Sequence, residues 1–332
     1  MTRPAVLVTG GAGFIGSHAC LQLAEAGYQP VVLDNLRTGN RDAVKWGPFE
    51  QLDVRAPEAV AAVIRKHRCI AVMHFAAAAY VGESVAEPGL YYDLNCGGMI
   101  SLLKAMQETG VSTLVFSSSC ATYGVPDRLP ITETSCQSPV NPYGRSKLMC
   151  EQMIRDQAAA AGLQFAMLRY FNACGADPEG RLFERHEPET HLIPLVLMAA
   201  AGIAPPLQVF GTDYNTPDGT CIRDYIHVSD LARAHVLALR RLIDGSDGFA
   251  VNLGTGTGHS IRQIIQAAET VTGRQVPWKA RARRPGDPPE LVADTALAAR
   301  LLGFRPRHSA LPDIIRHAAP GFGLEVRYDA CL

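Results

Sequence analysis

Val8-Thr9-Gly10-Gly11-Ala12-Gly13-Phe14-Ile15-Gly16-Ser17-His18 is the stretch that decides the fold. It is entered from the apolar run at residues 5–8 and left through an apolar-periodic stretch at 14–26, so it reads as strand, turn and helix. Glycines at 10, 13 and 16 let the backbone bend tightly and approach a pyrophosphate, and the first helical N–H groups and the helix dipole favour its charge. Working outward, β-branched apolar runs at 5–9, 30–33, 70–74, 113–118 and 165–169 alternate with helical patterns. Strands separated by helices need crossover connections, which produce a parallel sheet covered on both faces. The predicted class is α/β, a doubly wound, Rossmann-like parallel sheet.

The acidic residue that such a turn calls for follows at the end of the second strand. Asp34, eighteen residues after Gly16 and followed by Asn35, places a carboxylate where it would accept hydrogen bonds from ribose hydroxyls and repel a 2′-phosphate. NAD is thereby favoured over NADP, with Arg37 nearby leaving the phosphorylated form open. The G-x-x-G-x-x-G spacing resembles that of the short-chain dehydrogenases, where a pair such as Asp53-Val54 contacts adenine; the plain reading of Asp53 is a solvated turn residue. A second glycine cluster, Asn252-Leu253-Gly254-Thr255-Gly256-Thr257-Gly258, is rejected as a nucleotide loop. No strand and helix series follows it, and Ser260 reads as an ordinary helix cap.

Tyr143 and Lys147 in Tyr143-Gly144-Arg145-Ser146-Lys147 stand at i and i+4, one turn apart on one helix face. A free phenol ionises near pH 10, and a fixed neighbouring cation favours the phenolate, so the pair can serve as a base close to neutral pH. Ser119 ends the run Phe116-Ser117-Ser118-Ser119 at a strand terminus, the edge of a parallel sheet where ligands sit, and could hydrogen-bond a reacting oxygen.

Past residue 172 the rhythm breaks into loop-rich stretches among shorter helices near 229–243, 260–272 and 295–302. The expected division is a dinucleotide-binding domain at 1–172 and a smaller mixed α/β substrate domain at 173–332, with a segment near 220–240 returning to the first. A chain of 332 residues with 47% hydrophobic and 19% charged residues has ample core for this. A net charge of -1 gives no general reason to bind nucleic acid or an anionic membrane, so any phosphate must be gripped locally. The first apolar run is too short for a signal peptide or a span, which points to the cytoplasm. Nine scattered cysteines, without zinc spacing, are expected to be reduced, buried thiols, with no disulfide and no structural metal.

Nearly the whole chain resembles the UDP-glucose 4-epimerase (UDP-galactose 4-epimerase) family of the extended short-chain dehydrogenase/reductase superfamily. The agreement runs through VTGGAGFIGSH (8–18), VLDNL (32–36), FSSSCATYG (116–124), NPYGRSKLMCE (141–151), LRYFNACGA (168–176), HLIP (191–194), the more specific FGTDYNTPDGTCIRDYIHVSDLA (210–232) and RRPGDPP (283–289). It implies Tyr143 as the acid/base at the sugar O4, Lys147 holding the nicotinamide ribose and depressing the tyrosine pKa, and Ser119 on the proton path. Cofactor contacts would be Gly10, Gly13, Phe14, Ile15, Gly16, Asp34, Asn35, Asp53, Val54, Phe75, Ala76, Asn95, Tyr143, Lys147 and Tyr170. Substrate contacts would be Ser119, Tyr143, Asn172, Leu192, Phe210 beside uracil, Arg223 and Arg284 on the diphosphate, and Asp287 on ribose. Homodimerisation is implied in the same way.

The implied reaction removes the O4 proton and the C4 hydride, turns the sugar about its diphosphate and returns the hydride to the other face. Residues 77–80 depart from a stretch that carries a pyrophosphate-binding lysine in some members. Leu291, where the space around the C2 substituent is shaped, leaves plain hexose, N-acetylhexosamine and pentose open. A 4,6-dehydratase would need an acid/base pair at 120 and 121, where this chain has Cys120 and Ala121. A non-catalytic NAD sensor would not need the tyrosine and lysine pair.

Overall fold

The computed structural model describes residues 3–284 and 286–327; Pro285, within the 283–289 motif, and Cys331 lie outside them. The chain runs through β1 (Ala5–Thr9), α1 (Phe14–Glu25), β2 (Gln29–Asp34), β3 (Phe49–Gln51), α2 (Pro57–His67), β4 (Cys69–His74), α3 (Val81–Ala86), α4 (Pro88–Tyr91), α5 (Gly98–Thr109), β5 (Thr113–Ser119), α6 (Pro142–Ala161), β6 (Gln164–Tyr170) and β7 (Asn172–Cys174). It continues through α7 (Leu192–Ala201), β8 (Leu207–Phe210), β9 (Ile222–His227), α8 (Val228–Ile243), β10 (Phe249–Leu253), β11 (Gly258–Ser260), α9 (Ile261–Thr272), β12 (Trp278–Arg281), β13 (Glu290–Leu291), α10 (Ala296–Leu302) and α11 (Leu311–Ala318).

Seven parallel strands form one sheet in the order β10-β6-β5-β4-β1-β2-β3. From β1 the chain winds outward one way to β3 and then the other way from β4, so the crevice at the carboxyl ends of β1 and β4 is the place for a ligand. Every residue of β1 is buried because both faces are covered. Leu7, Val72, Leu114 and Phe116 meet residues of α2, α5 and α6 on one side, while Val6, Val8, Met73 and Val115 meet residues of α1, α8 and α10 on the other. Cutting one such Leu, Ile or Met back to Ala costs about 2–5 kcal/mol.

Two strands of this sheet, β3 and β10, were not among the five expected runs. β3 has only three residues, none of them fully buried, so it leaves almost no pattern. β10, far along the chain, joins the edge at β6, and α8 packs on α1. A second body gathers α7, α9 and α11 around Val196, Leu197, Ile264 and Ile314. Against it β9 pairs with β7, β11 and β13, and β8 pairs with β12.

Ser260 caps α9 in a reciprocal box with Gln263, at 3.2 and 2.9 Å. The glycine cluster before it is closed to phosphate, because the Asp224 carboxylate already accepts from Thr255 N at 2.8 Å and Gly256 N at 3.0 Å. The eight described cysteines are free thiols; six are buried as expected, but Cys136 is exposed and Cys120 partly so. Among the described residues no helix is long and apolar enough to cross a membrane.

Candidate active site

The sheet's carboxyl edge collects most of the expected cofactor positions, since Gly10 follows β1, Asp34 ends β2, Phe75 and Ala76 follow β4, Ser119 ends β5 and Tyr170 ends β6. The turn after β1 is built for close approach. A Cβ on Gly10 would lie 2.5 Å from Ala76 N, and one on Gly16 2.2 Å from Gly10 O. α1 starts at Phe14 after Gly13 with no side-chain cap, so the N–H groups of its first turn, Ile15 and Gly16 included, are offered to an anion. Asp34 is buried and accepts from Ala12 N at 3.0 Å and Leu36 N at 2.8 Å. Burial pushes its pKa up against those two bonds. This glycine-lined cradle with a carboxylate at the next strand end fits a dinucleotide.

The remaining cofactor candidates bracket that cradle. Asn35 donates to Asp53 at 3.0 Å, and Arg55 holds the Asp53 carboxyl well below its usual range while Val54 is buried beside them. Arg37 is turned to Glu83 at 3.5 Å. Asn95 sits in a π-helical turn, Tyr92–Gly97, where its amide clasps Ala78 through both atoms and donates to Ser146 Oγ at 2.9 Å, tying the loop after β4 to α6. The Tyr170 hydroxyl shares a 2.7 Å hydrogen bond with Ser117.

Tyr143 and Lys147 both lie on α6, whose start is fixed by Asn141 accepting from Gly144 N at 2.8 Å and by Pro142 in the first turn. Lys147 is buried; its Nζ donates to the Ser117 carbonyl at 2.8 Å and lies 4.9 Å from the centre of the Phe116 ring. Burial lowers its pKa to about 8, which keeps it mostly charged at neutral pH. Burial also pushes the Tyr143 phenol well above the ordinary tyrosine value, and Tyr170 adds to this, while the adjacent Ser119 works the other way. The expected depression of the phenol by Lys147 is therefore not a property of these side chains alone: the ammonium is engaged with a carbonyl.

On the substrate side Arg223 is held by backbone, donating to Ile222 O of its own strand at 2.7 Å and to Pro288 O just before β13 at 2.8 Å, and it pairs with Asp287. Two residues expected to serve different parts of a ligand thus neutralise each other. The Arg284 guanidinium lies 4.1 Å above the Phe210 ring, and Asn172 donates to Asp224 O at 3.0 Å. Leu192 opens α7, and Leu291 on β13 packs in a small cluster with Cys120, Tyr123, Ile131 and Phe171.

Residues 6–254 match the NAD dependent epimerase/dehydratase family. The chain belongs to that family. It is 51% identical over 303 residues to the UDP-glucose 4-epimerase of Rhizobium meliloti (strain 1021), covering 91% of this chain and 92% of that one. The crystal structure of UDP-glucose 4-epimerase from Brucella ovis in complex with NAD shares 59% identity at a TM-score of 0.96, over 98% and 100% of the two chains. The enzyme from Stenotrophomonas maltophila with bound NAD and formylated UDP-arabinopyranose shares 45% at 0.94, over 97% and 98%.

Behind this epimerase/dehydratase site lie residues that sequence reasoning passed over. Arg169 is fully buried and grips both Glu151 oxygens, at 2.8 and 2.7 Å; the same carboxylate accepts from Ser118 at 2.6 Å. The available signal was a lone charge near the end of an apolar strand. Gly144 was quoted only as part of a motif, yet a Cβ there would meet Ala121 O at 2.4 Å, so it sets how closely α6 approaches the strand end carrying Ser119. Tyr91 stands edge-on to Tyr143, ring centres 6.4 Å apart, and donates to Glu83 at 2.8 Å.

Proposed function

We infer that this chain is a UDP-glucose 4-epimerase, interconverting UDP-glucose and UDP-galactose with NAD. The observation that carries the reading is a buried phenol and a buried ammonium on one helix, packed against the sheet edge where the dinucleotide cradle opens. NAD, when bound, supplies the acceptor that takes hydride from the sugar C4 and gives it back to the opposite face.

The protein's own side chains do the rest. Tyr143 would hold and move the O4 proton, with Ser119 easing ionisation of the phenol. Lys147 would keep a positive charge under the site, and Asn95 the spacing between the loop after β4 and α6. Arg223 and Arg284, with Asn172, Leu192, Phe210 and Asp287, would anchor UDP while the sugar turns. The ion pair between Arg223 and Asp287 would open to receive it. Residues 1–172 would hold NAD and residues 173–332 the UDP-sugar, α8 and β10 returning to the first part.

The exposed Ile100 on α5 and Met149 on α6 are large apolar side chains on packed neighbouring helices, which supports a homodimer of this cytoplasmic enzyme through these helices. Plain hexose is the preferred substrate in this reading, with Leu291 setting the room beside the ring.

A coupled assay with UDP-galactose, UDP-N-acetylgalactosamine and UDP-arabinose in parallel tests the reading, with UDP-galactose expected to turn over fastest. Tyr143→Phe should keep its NAD while kcat falls about 10²–10⁴-fold. A near-normal rate in that variant would remove Tyr143 from the chemistry, and unchanged C4 stereochemistry with all three sugars would end the proposal.

A further inference from the structure

Between β7 and α7 the chain carries Glu184-Arg185-His186-Glu187-Pro188-Glu189-Thr190-His191, and the loop folds so that four donors of this run converge. Donor atoms of Glu184, His186, Glu189 and His191 all lie within 4.8 Å of one another. His186 Nδ1 is 3.4 Å from both Glu184 Oε1 and Glu189 Oε2, and His191 Nδ1 is 3.1 Å from Glu184 Oε1 and 2.9 Å from Glu189 Oε1. Zinc bonds of about 2.0–2.1 Å to nitrogen and oxygen give tetrahedral edges of about 3.3–3.4 Å, so these separations already approximate the edges of a zinc site.

Two further observations point to a ligand. The Glu184 side chain is only 3% exposed, and its Oε1 faces both imidazoles yet has no hydrogen-bond partner. A buried carboxylate oxygen without a partner is costly, and a cation among the four donors would remove that cost. Glu189 is held in place from outside, its Oε1 accepting from Thr190 N and His191 N, each at 2.8 Å, which is the supporting hydrogen bonding that metal carboxylates use. Two carboxylates and two neutral imidazoles balance a divalent ion, and the set suits a borderline metal over calcium or magnesium.

We propose that Glu184, His186, Glu189 and His191 form a zinc site that braces the loop leading into the substrate helix. Such a site runs against the expectation of no structural metal, which rests on cysteine spacing alone. The His186 ring meets the Phe14 ring at the start of α1, 6.1 Å between centres, and His191 immediately precedes α7 and Leu192. An ion here would tie the cofactor turn to the first turn of α7. His191, 42% exposed, leaves the ion a route in.

The test is metal content and binding in the full-length enzyme. Chelator-stripped protein should take up one equivalent of zinc per chain, and cobalt added instead should give the intense visible bands of a tetrahedral ion. Glu184→Gln and His186→Ala should each weaken zinc by more than the about 10–100-fold that losing a supporting hydrogen bond costs. Should either variant fail to fold, anomalous diffraction at the zinc edge from wild-type crystals should place the ion among the four side chains. No zinc uptake by the wild type would overturn the proposal, leaving two imidazolium and carboxylate pairs in its place. Uptake undiminished in folded variants, or an anomalous peak elsewhere, would overturn it equally.

Discussion

Two arginine and carboxylate pairs flank the strand end that carries Ser119, and they differ in almost every respect. Arg169 and Glu151 are 2% and 0% exposed, whereas Arg223 and Asp287 are 12% and 28% exposed. The inner guanidinium is saturated: beyond Glu151 it donates to Tyr123 at 2.9 Å, Glu133 O at 3.2 Å and Gln137 at 3.1 Å. The outer one rests on two backbone carbonyls and a single carboxylate that solvent reaches. A charge partnered on all sides is scaffold, because no ligand can improve on its surroundings. A charge with one replaceable partner can exchange it for a diphosphate, and the cost of desolvating it is already met in the free protein.

The largest effect should come from breaking the inner pair. Glu151→Gln leaves Arg169 buried without its counter-charge and should lower the unfolding free energy by about 3–5 kcal/mol in urea titrations. Asp287→Asn should cost clearly less, because this part-buried pair is reached by solvent and Arg223 keeps its two backbone carbonyls. Equal losses would erase the distinction. The inner pair should also weaken in acid. Burial pushes the Glu151 pKa up, but the bonds from Arg169, Ser118 and Gln137 outweigh it and hold the net value below the usual range. A carboxylate depressed on folding contributes stability above its unfolded pKa, and that contribution disappears as pH falls through the folded one.

Lys147 sharpens the comparison because it is a buried charge whose hydrogen bond goes to a carbonyl, not a carboxylate. Burial lowers its folded pKa from 10.5 to about 8. Between those values the unfolded chain binds more protons, so this group makes the NAD-stripped protein more stable as pH rises from about 8 to 10.5, by about 3 kcal/mol in all. Lys147→Met should flatten that rise, and at pH 7 the variant should be the more stable protein. A wild-type minus variant difference that does not change with pH would mean the ammonium is solvated.

How much of this was legible follows from which interactions are local. The turn at 10–16, the acid at Asp34 and the helical pair Tyr143 and Lys147 are spacing signals, each carried by a few consecutive residues and visible without a fold. The partners that tune them are not. Glu151 and Arg169 are 18 residues apart and meet only because α6 packs across β6. Arg223 and Asp287 are 64 apart, so two residues read as separate ligand contacts turn out to neutralise each other. β10 reaches the sheet edge from beyond α8, and its pairing with residues 166–170 follows from α8 packing on α1, a long-range arrangement that no local pattern shows. The Glu184 to His191 run is local, but it carries no cysteine spacing and its four donors converge only once the loop is folded.

The outer arginines, Arg223 and Arg284, are alike in the sequence but not in the structure. Arg223→Ala should raise the KM for UDP-galactose about 10–100-fold, the scale of a lost charged hydrogen bond, with NAD retention unaltered. Arg284 sits over the Phe210 ring, and a cation so placed at an exposed site contributes about 0.5–1 kcal/mol, so Arg284→Ala should raise KM only about 2–5-fold. If its role is to stiffen the aromatic wall, Phe210→Leu should have a similar effect and the double variant should add almost nothing, since each single change already removes the shared contact. A KM increase for Arg284→Ala as large as that for Arg223→Ala, additive with Phe210→Leu, would instead mean that the guanidinium leaves the ring for the diphosphate when substrate arrives. The asymmetry between the two arginines would then be a property of the free protein alone.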